Sequence, residues 1–159
     1  MALRAPRHVW PMNESARDSA LELSLVNDLR EIGAAAEKID AFCEARSLSP
    51  QIAYAINLSI DEILTNTISY GYDDEAEHRI DLTLRQEGDT LVVVIVDDGR
   101  AFDSSLEREP NVDATLEERA LGGLGLFLVQ QMMDDVDYQR RDALNVITLK
   151  KSTAEQDEE

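Results

Sequence analysis

Leu21, Leu23 and Leu25 alternate with Glu22 and Ser24, the two-residue period of a half-buried strand. The period then changes. Leu29, Ile32, Ala36, Ile39 and Phe42/Cys43 recur at helical spacing, with Asn27 or Asp28 placed to cap the helix. A second helix is predicted after Ser49-Pro50, because Ser suits the N-cap and Pro the first helical position, and it ends near Gly71. Two strands follow around Glu87-Gly88-Asp89, the first with Ile80, Leu82 and Leu84 on one face. The second, residues 91–96, is a continuous apolar run and is expected to lie centrally in the sheet.

A polar, acid-rich segment at residues 103–120 is too long for an ordinary turn, and loops of that length are commonly functional or disordered. After it, "GGLGLFLVQQMMDD" is glycine-rich at its start and helical beyond, with Leu126, Val129 and Met133 expected in the core. "VDYQRRDALNVITLK" reads as a closing hairpin. The order β-α-α-β-β-loop-α-β-β predicts an α+β fold: a two-layer sandwich with about three helices on one face of a mostly antiparallel mixed sheet. We expect a loose leader at residues 1–18, one domain at 19–151 and a solvated acidic tail at 152–159.

Composition narrows the function classes. The chain has 159 residues, enough for one domain with one core, and its single cysteine cannot form an internal disulfide. Cys43 is expected as a buried small hydrophobe. With no run of about 18 apolar residues and no secretory h-region, a soluble cytoplasmic protein with no membrane association is expected. A net charge of -18 argues against direct nucleic-acid binding, which needs Lys/Arg patches. It suits a basic protein partner, or simply solubility.

Three stretches could carry chemistry. Glu62 and Asn66 are four residues apart on the second helix, so their side chains share a face beside the apolar stripe of Ile56, Ile60, Ile63 and Thr67. A carboxylate there could deprotonate a nucleophile, and an amide oxygen could ligate Mg²⁺; alone, such a pair more often marks a solvent-facing edge. In "VVVIVDDGRAFD", Asp97 ends an apolar strand before Gly99, where it could accept a hydrogen bond from an exocyclic amine such as that of adenine, or merely close a turn. In "LGGLGLFLVQQ", glycines leading into a helix could offer unpaired N–H groups to phosphates, or serve packing. No Walker A Lys-Ser/Thr follows, and the spacing is not that of a Rossmann fingerprint.

Together, in this order, the three stretches resemble the GHKL (Bergerat-fold) ATPase superfamily, which includes histidine kinases and DNA gyrase. Within it the chain looks most like the anti-sigma-factor serine kinases of bacterial partner-switching systems. "DEILTNTISYGY" resembles the N box, "DDGRAFD" the first glycine box and "GGLGLFLV" the second, and the likeness spans residues 21–150. The resemblance implies Glu62 as catalytic base, Asn66 as Mg²⁺ ligand and Asp97 as the adenine contact. It also implies ATP-site roles for Gly99 and Ala101 in the first box, for Gly123, Leu124 and Gly125 at the phosphates, and for Thr148 at the adenine pocket. By the same resemblance residues 103–120 would form the ATP lid; apart from it, Arg119 at the end of that segment is a candidate phosphate contact, because a guanidinium can neutralise developing charge during phosphoryl transfer.

The first glycine box lacks the second glycine of the superfamily form. The only histidines, His8 and His78, lie in the leader and beside a strand, so no phosphoacceptor-histidine helix is expected. The implied activity is an ATP- and Mg²⁺-dependent serine kinase that sequesters a sigma factor and phosphorylates a STAS-type anti-anti-sigma protein, with homodimerisation as a family possibility. The alternative is a nucleotide-gated protein-binding module with little or no kinase activity.

Overall fold

A computed structural model describes residues 20–101 and 124–154. The expected leader, the lid segment, Arg119, Gly123 and most of the acidic tail lie outside the described residues. The elements run β1 (Leu21–Val26), α1 (Glu31–Ala45), α2 (Pro50–Tyr70), β2 (Arg79–Glu87), β3 (Thr90–Asp97), α3 (Leu124–Met132), β4 (Asp135–Arg141) and β5 (Leu144–Ser152). The strands form one sheet in the order β1-β2-β3-β5-β4, and every pairing among them is antiparallel.

Period-two alternation divides the sheet into two faces. Leu91, Val93 and Ile95 of β3, with Ile147 and Leu149 of β5, share one core with Ile39 and Phe42 of α1, Ile56, Ile60 and Ile63 of α2, and Val129 of α3. The intervening residues Val92, Val94, Val96 and Val146 form a separate buried cluster on the opposite face. β3 is buried along nearly its whole length and lies at the centre of the sheet, as its unbroken apolar run predicts.

Local chemistry sets the boundaries. Ser49 caps α2 as expected: its backbone is extended and its Oγ accepts the Ile52 N–H at 3.3 Å, with Pro50 opening the helix. The β2–β3 hairpin turns through Gly88 at φ 58°, a left-handed conformation that glycine adopts without a Cβ penalty. The β4–β5 hairpin turns through Asp142 and Ala143, at φ 49° and 66°.

The start of α1 departs from expectation. Neither Asn27 nor Asp28 caps the helix; the N-cap is Arg30, with no side-chain cap bond. Asn27 instead ties β1 to the segment before β2: its Oδ1 accepts the His78 N–H at 2.8 Å and its Nδ2 donates to Ala76 O at 3.3 Å. Asp28 Oδ1 accepts the Arg30 N–H, and Leu29 is exposed. The buried turn-by-turn stripe of α1 passes through Ala35 rather than Ala36. Cys43 is buried in that stripe, which pushes its thiol pKa up.

Candidate functional site

The site grows from the C-terminal ends of α2 and β3. The exposed edge of α2 carries Glu62 and Asn66, both half-buried, while Ile56, Ile60, Ile63 and Thr67 face inward. Neither Glu62 nor Asn66 makes a side-chain hydrogen bond among the described residues, so both are available at the rim. About 7 Å further along the helix axis, α2 ends at Gly71, whose N–H donates to Thr67 O at 2.8 Å.

Gly71 meets the end of β3. Its carbonyl accepts the Arg100 N–H at 2.8 Å, and a Cβ placed on Gly99 would lie 2.7 Å from that same carbonyl oxygen. Glycine at 99 is therefore what lets the β3 turn close against the end of α2. Arg100 Nη2 adds an ion pair with Asp73 Oδ1 at 2.8 Å. Next to it, His78 lies between Asp74, at 2.7 Å, and Asp98, at 3.1 Å, and stacks on Tyr72 with ring centroids 4.2 Å apart.

Asp97 is 2 % exposed. Its Oδ1 accepts from the Gly99 N–H at 2.8 Å and from Asn145 Nδ2 at 2.9 Å, while its Oδ2 is buried without a partner. Burial pushes the carboxyl pKa up, opposed by the bonds from Asn145 and Gly99. A buried carboxylate oxygen with no donor is costly to maintain, and a ligand N–H would satisfy it. Thr67 Oγ1, on the last buried turn of α2, is likewise buried without a partner. An exocyclic amine would supply the donor that Asp97 Oδ2 lacks, so this acceptor fits an adenine nucleotide.

Asn66 could offer one amide oxygen to a cation, and among the described residues no cluster of three or more His, Cys, Asp or Glu forms a protein cage for a metal. Mg²⁺ carried by phosphates needs few protein ligands because it keeps several waters, so a lone amide oxygen fits it.

The remaining expectations divide. Ala101 is exposed and is the last described residue after β3. Leu124 and Gly125 are the first described residues of α3. Thr148 does not join the site. It pairs with Val94 in the β3–β5 ladder and so belongs to the Val92/Val94/Val146 face, opposite Asp97. The residue of β5 that pairs with Asp97 is Asn145.

Sequence reasoning missed Asn145 together with Tyr138 and Arg140. Tyr138 Oη donates to Asn145 Oδ1 at 2.7 Å, and Arg140 Nη1 donates to Asn145 Oδ1 at 3.0 Å and to Gly99 O at 2.7 Å. A signal was present: Ile147 and Leu149 alternate with Thr148, so the core-facing parity of β5 leads back to Asn145.

Comparison with known proteins agrees with this geometry. Residues 25–151 match the family described as the histidine kinase-like ATPase domain. The chain is 33 % identical over 106 residues to the serine/threonine-protein kinase BtrW of Bordetella bronchiseptica, covering 67 % of this chain and 75 % of that protein. It is 28 % identical over 108 residues to the serine-protein kinase RsbW of Listeria innocua, covering 65 % and 69 % of the two chains. The fold is similar to the crystal structure of the RsbU and RsbW domains of a Mycobacterium tuberculosis protein, with a TM-score of 0.59 at 12 % identity. That match covers 84 % of this chain and 32 % of the longer one. A two-layer fold of this topology, a buried acceptor at the end of its central strand and a family match across most of its length lead to one conclusion: the chain belongs to the histidine kinase-like ATPase domain family.

Proposed function

We infer that the protein is an ATP-dependent serine protein kinase acting as an anti-sigma factor, one that sequesters a sigma factor and phosphorylates a STAS-type anti-anti-sigma partner. The observation that carries the nucleotide reading is Asp97 Oδ2, a buried acceptor with no donor, beside the helix that presents Glu62 and Asn66. The kinase names of the relatives support the catalytic reading.

Asp97 accepts the exocyclic amine of the base, and Gly99, with Ala101 after it, keeps the β3 turn tight against α2. Gly123, Leu124 and Gly125 would offer backbone N–H groups to phosphate oxygens, as glycine-rich segments leading into helices favour anions. Arg119 neutralises charge on the phosphates. Asn66 would hold Mg²⁺, and the ion would screen the phosphate charge. Bound Mg-ATP supplies an activated phosphoryl group, which passes to the substrate serine oxygen and leaves ADP. Glu62 accepts the proton of that serine hydroxyl, and a half-exposed carboxylate at the rim is accessible to an incoming protein.

The test is to incubate the purified protein with Mg-ATP and candidate STAS-type proteins from the same genome and follow their intact mass. One added phosphate with wild type, absent with Glu62→Gln, supports the kinase. ATP binding without modification of any partner favours a nucleotide-gated binding module. Absence of ATP binding removes the nucleotide reading.

A further inference from the structure

We propose that the closing hairpin is a positioning clasp in which Tyr138 and Arg140 orient Asn145, and Asn145 in turn orients the Asp97 carboxylate so that the site selects adenine over guanine. The inference rests on the nucleotide-site reading above and adds residues that lie outside all three sequence boxes.

The chemistry of Asn145 fixes its own orientation. An asparagine amide has an acceptor oxygen on one side and two donor hydrogens on the other. Both groups facing Oδ1 are donors, Tyr138 Oη at 2.7 Å and Arg140 Nη1 at 3.0 Å. Every group facing Nδ2 is an acceptor: Asp97 Oδ1 at 2.9 Å, Arg100 O at 2.8 Å and, at the limit of hydrogen bonding, Gly99 O at 3.4 Å. Turning the amide over would set its oxygen against three oxygens and its hydrogens against the Arg140 guanidinium. Asn145 is 1 % exposed, so water could not relieve that mismatch.

The clasp also grips the backbone of the β3 turn. Arg140 Nη1 also donates to Gly99 O at 2.7 Å, so one guanidinium links the amide to the backbone of the turn. Asp97 Oδ1 is then committed to Asn145 and to the Gly99 N–H, and rotating the carboxylate would break both bonds. Only Oδ2 remains to meet a ligand.

That presentation encodes the base. An ionised carboxylate only accepts, so Oδ2 pairs with the amino group of adenine and repels the carbonyl oxygen that guanine carries at the same position. A protonated Asp97 could instead donate to guanine. Burial and the neighbouring charge of Asp98 favour protonation, whereas the Asn145 bond, the Gly99 N–H and the Arg140 charge oppose it. Tyr72 is a further titratable group in electrostatic contact with Asp97, and its phenol stays neutral because burial raises its pKa. Asn145 thus sets the direction of the acceptor and favours its ionised form.

The experiment measures ATP and GTP affinity from pH 5.5 to 8.5 for wild type, Asn145→Leu and Asn145→Thr, with folding checked by circular dichroism. Loss of a hydrogen bond to a charged group predicts that Asn145→Leu weakens ATP about tenfold or more. GTP is weakened much less, so the ATP:GTP ratio falls, and the pH at which ATP binding is lost moves upward. Asn145→Thr, which keeps a donor, recovers part of the ratio. If Asn145→Leu does not fold, Tyr138→Phe and Arg140→Gln are read for the same shifts at smaller size.

Folded variants with wild-type ratio and pH profile would reduce the contacts to hairpin packing and overturn the proposal. Wild-type protein that binds neither nucleotide would overturn the underlying nucleotide reading and the clasp with it. Binding of both nucleotides equally by wild type would overturn the clasp alone.

Discussion

Asp97 and Asn145 face each other across the β3–β5 ladder, and the Asn145 amide engages only one of the two Asp97 carboxylate oxygens, at 2.9 Å. The other oxygen is buried and unpartnered. Its consequence for stability has a definite sign: burial raises the folded-state pKa of Asp97, so the ionised form costs stability as pH rises through that value. Asp97→Asn should leave thermal stability at pH 8 unchanged or higher, while weakening ATP binding by more than about tenfold through loss of the charged acceptor. Paired melting curves and nucleotide titrations check both halves. A variant that binds ATP normally would remove Asp97 from the nucleotide site.

Glu62 and Asn66 are neighbours on α2 but should fail differently. Glu62→Gln is expected to keep ATP affinity and lower the phosphorylation rate by about 10²- to 10⁴-fold, the usual contribution of a general base. Asn66→Ala should instead weaken nucleotide affinity chiefly when Mg²⁺ is present. Rates from intact mass and titrations with and without Mg²⁺ separate the roles.

A Cβ on Gly99 would sit 2.7 Å from Gly71 O and 2.9 Å from Asp97 Oδ1, contacts with backbone and with a fixed carboxylate. Gly99→Ala should therefore destabilise the fold by about 1–3 kcal/mol, as overpacking does, and weaken ATP binding by displacing Asp97. Gly33→Ala, with nothing within 4 Å of the added carbon, is the control expected to leave both unchanged or slightly improved. Equal melting temperatures for the two variants would contradict the close approach of α2 and β3.

His78 faces carboxylate oxygens with both ring nitrogens, an arrangement that needs both to carry protons. Its pKa is raised, first by the hydrogen bond to Asp74 and then by Asp98. The contribution to stability is thus fully present below the unfolded value of about 6.5 and is lost as pH rises through the higher folded value. Amide exchange in the segment 72–78, corrected for intrinsic rates, should quicken as pH is raised across that interval in wild type and show no such step in His78→Gln. A pH-independent wild-type segment would contradict the ion pairs.

Much of this protein is written in local pattern. The alternation in β1, the Ser49-Pro50 start of α2, the apolar run of β3 and the three glycine- and carboxylate-bearing stretches each follow from chemistry within a few residues. Such signals locate Glu62, Asn66 and Asp97 on their own elements because a side chain's face is set by the period of its backbone. Contacts between distant segments were not available to them. Asn27 pairs with residues 76–78 instead of capping α1, and Asn145 rather than Thr148 meets Asp97. Strand register decides that second choice, since shifting one residue moves every side chain to the other face of the sheet. Sequence by itself determined the elements and the acidic and amide groups they carry. Only tertiary structure decided which oxygen of Asp97 is left open, because that depends on donors brought together from β4, β5 and the β3 turn, more than 40 residues apart in the chain.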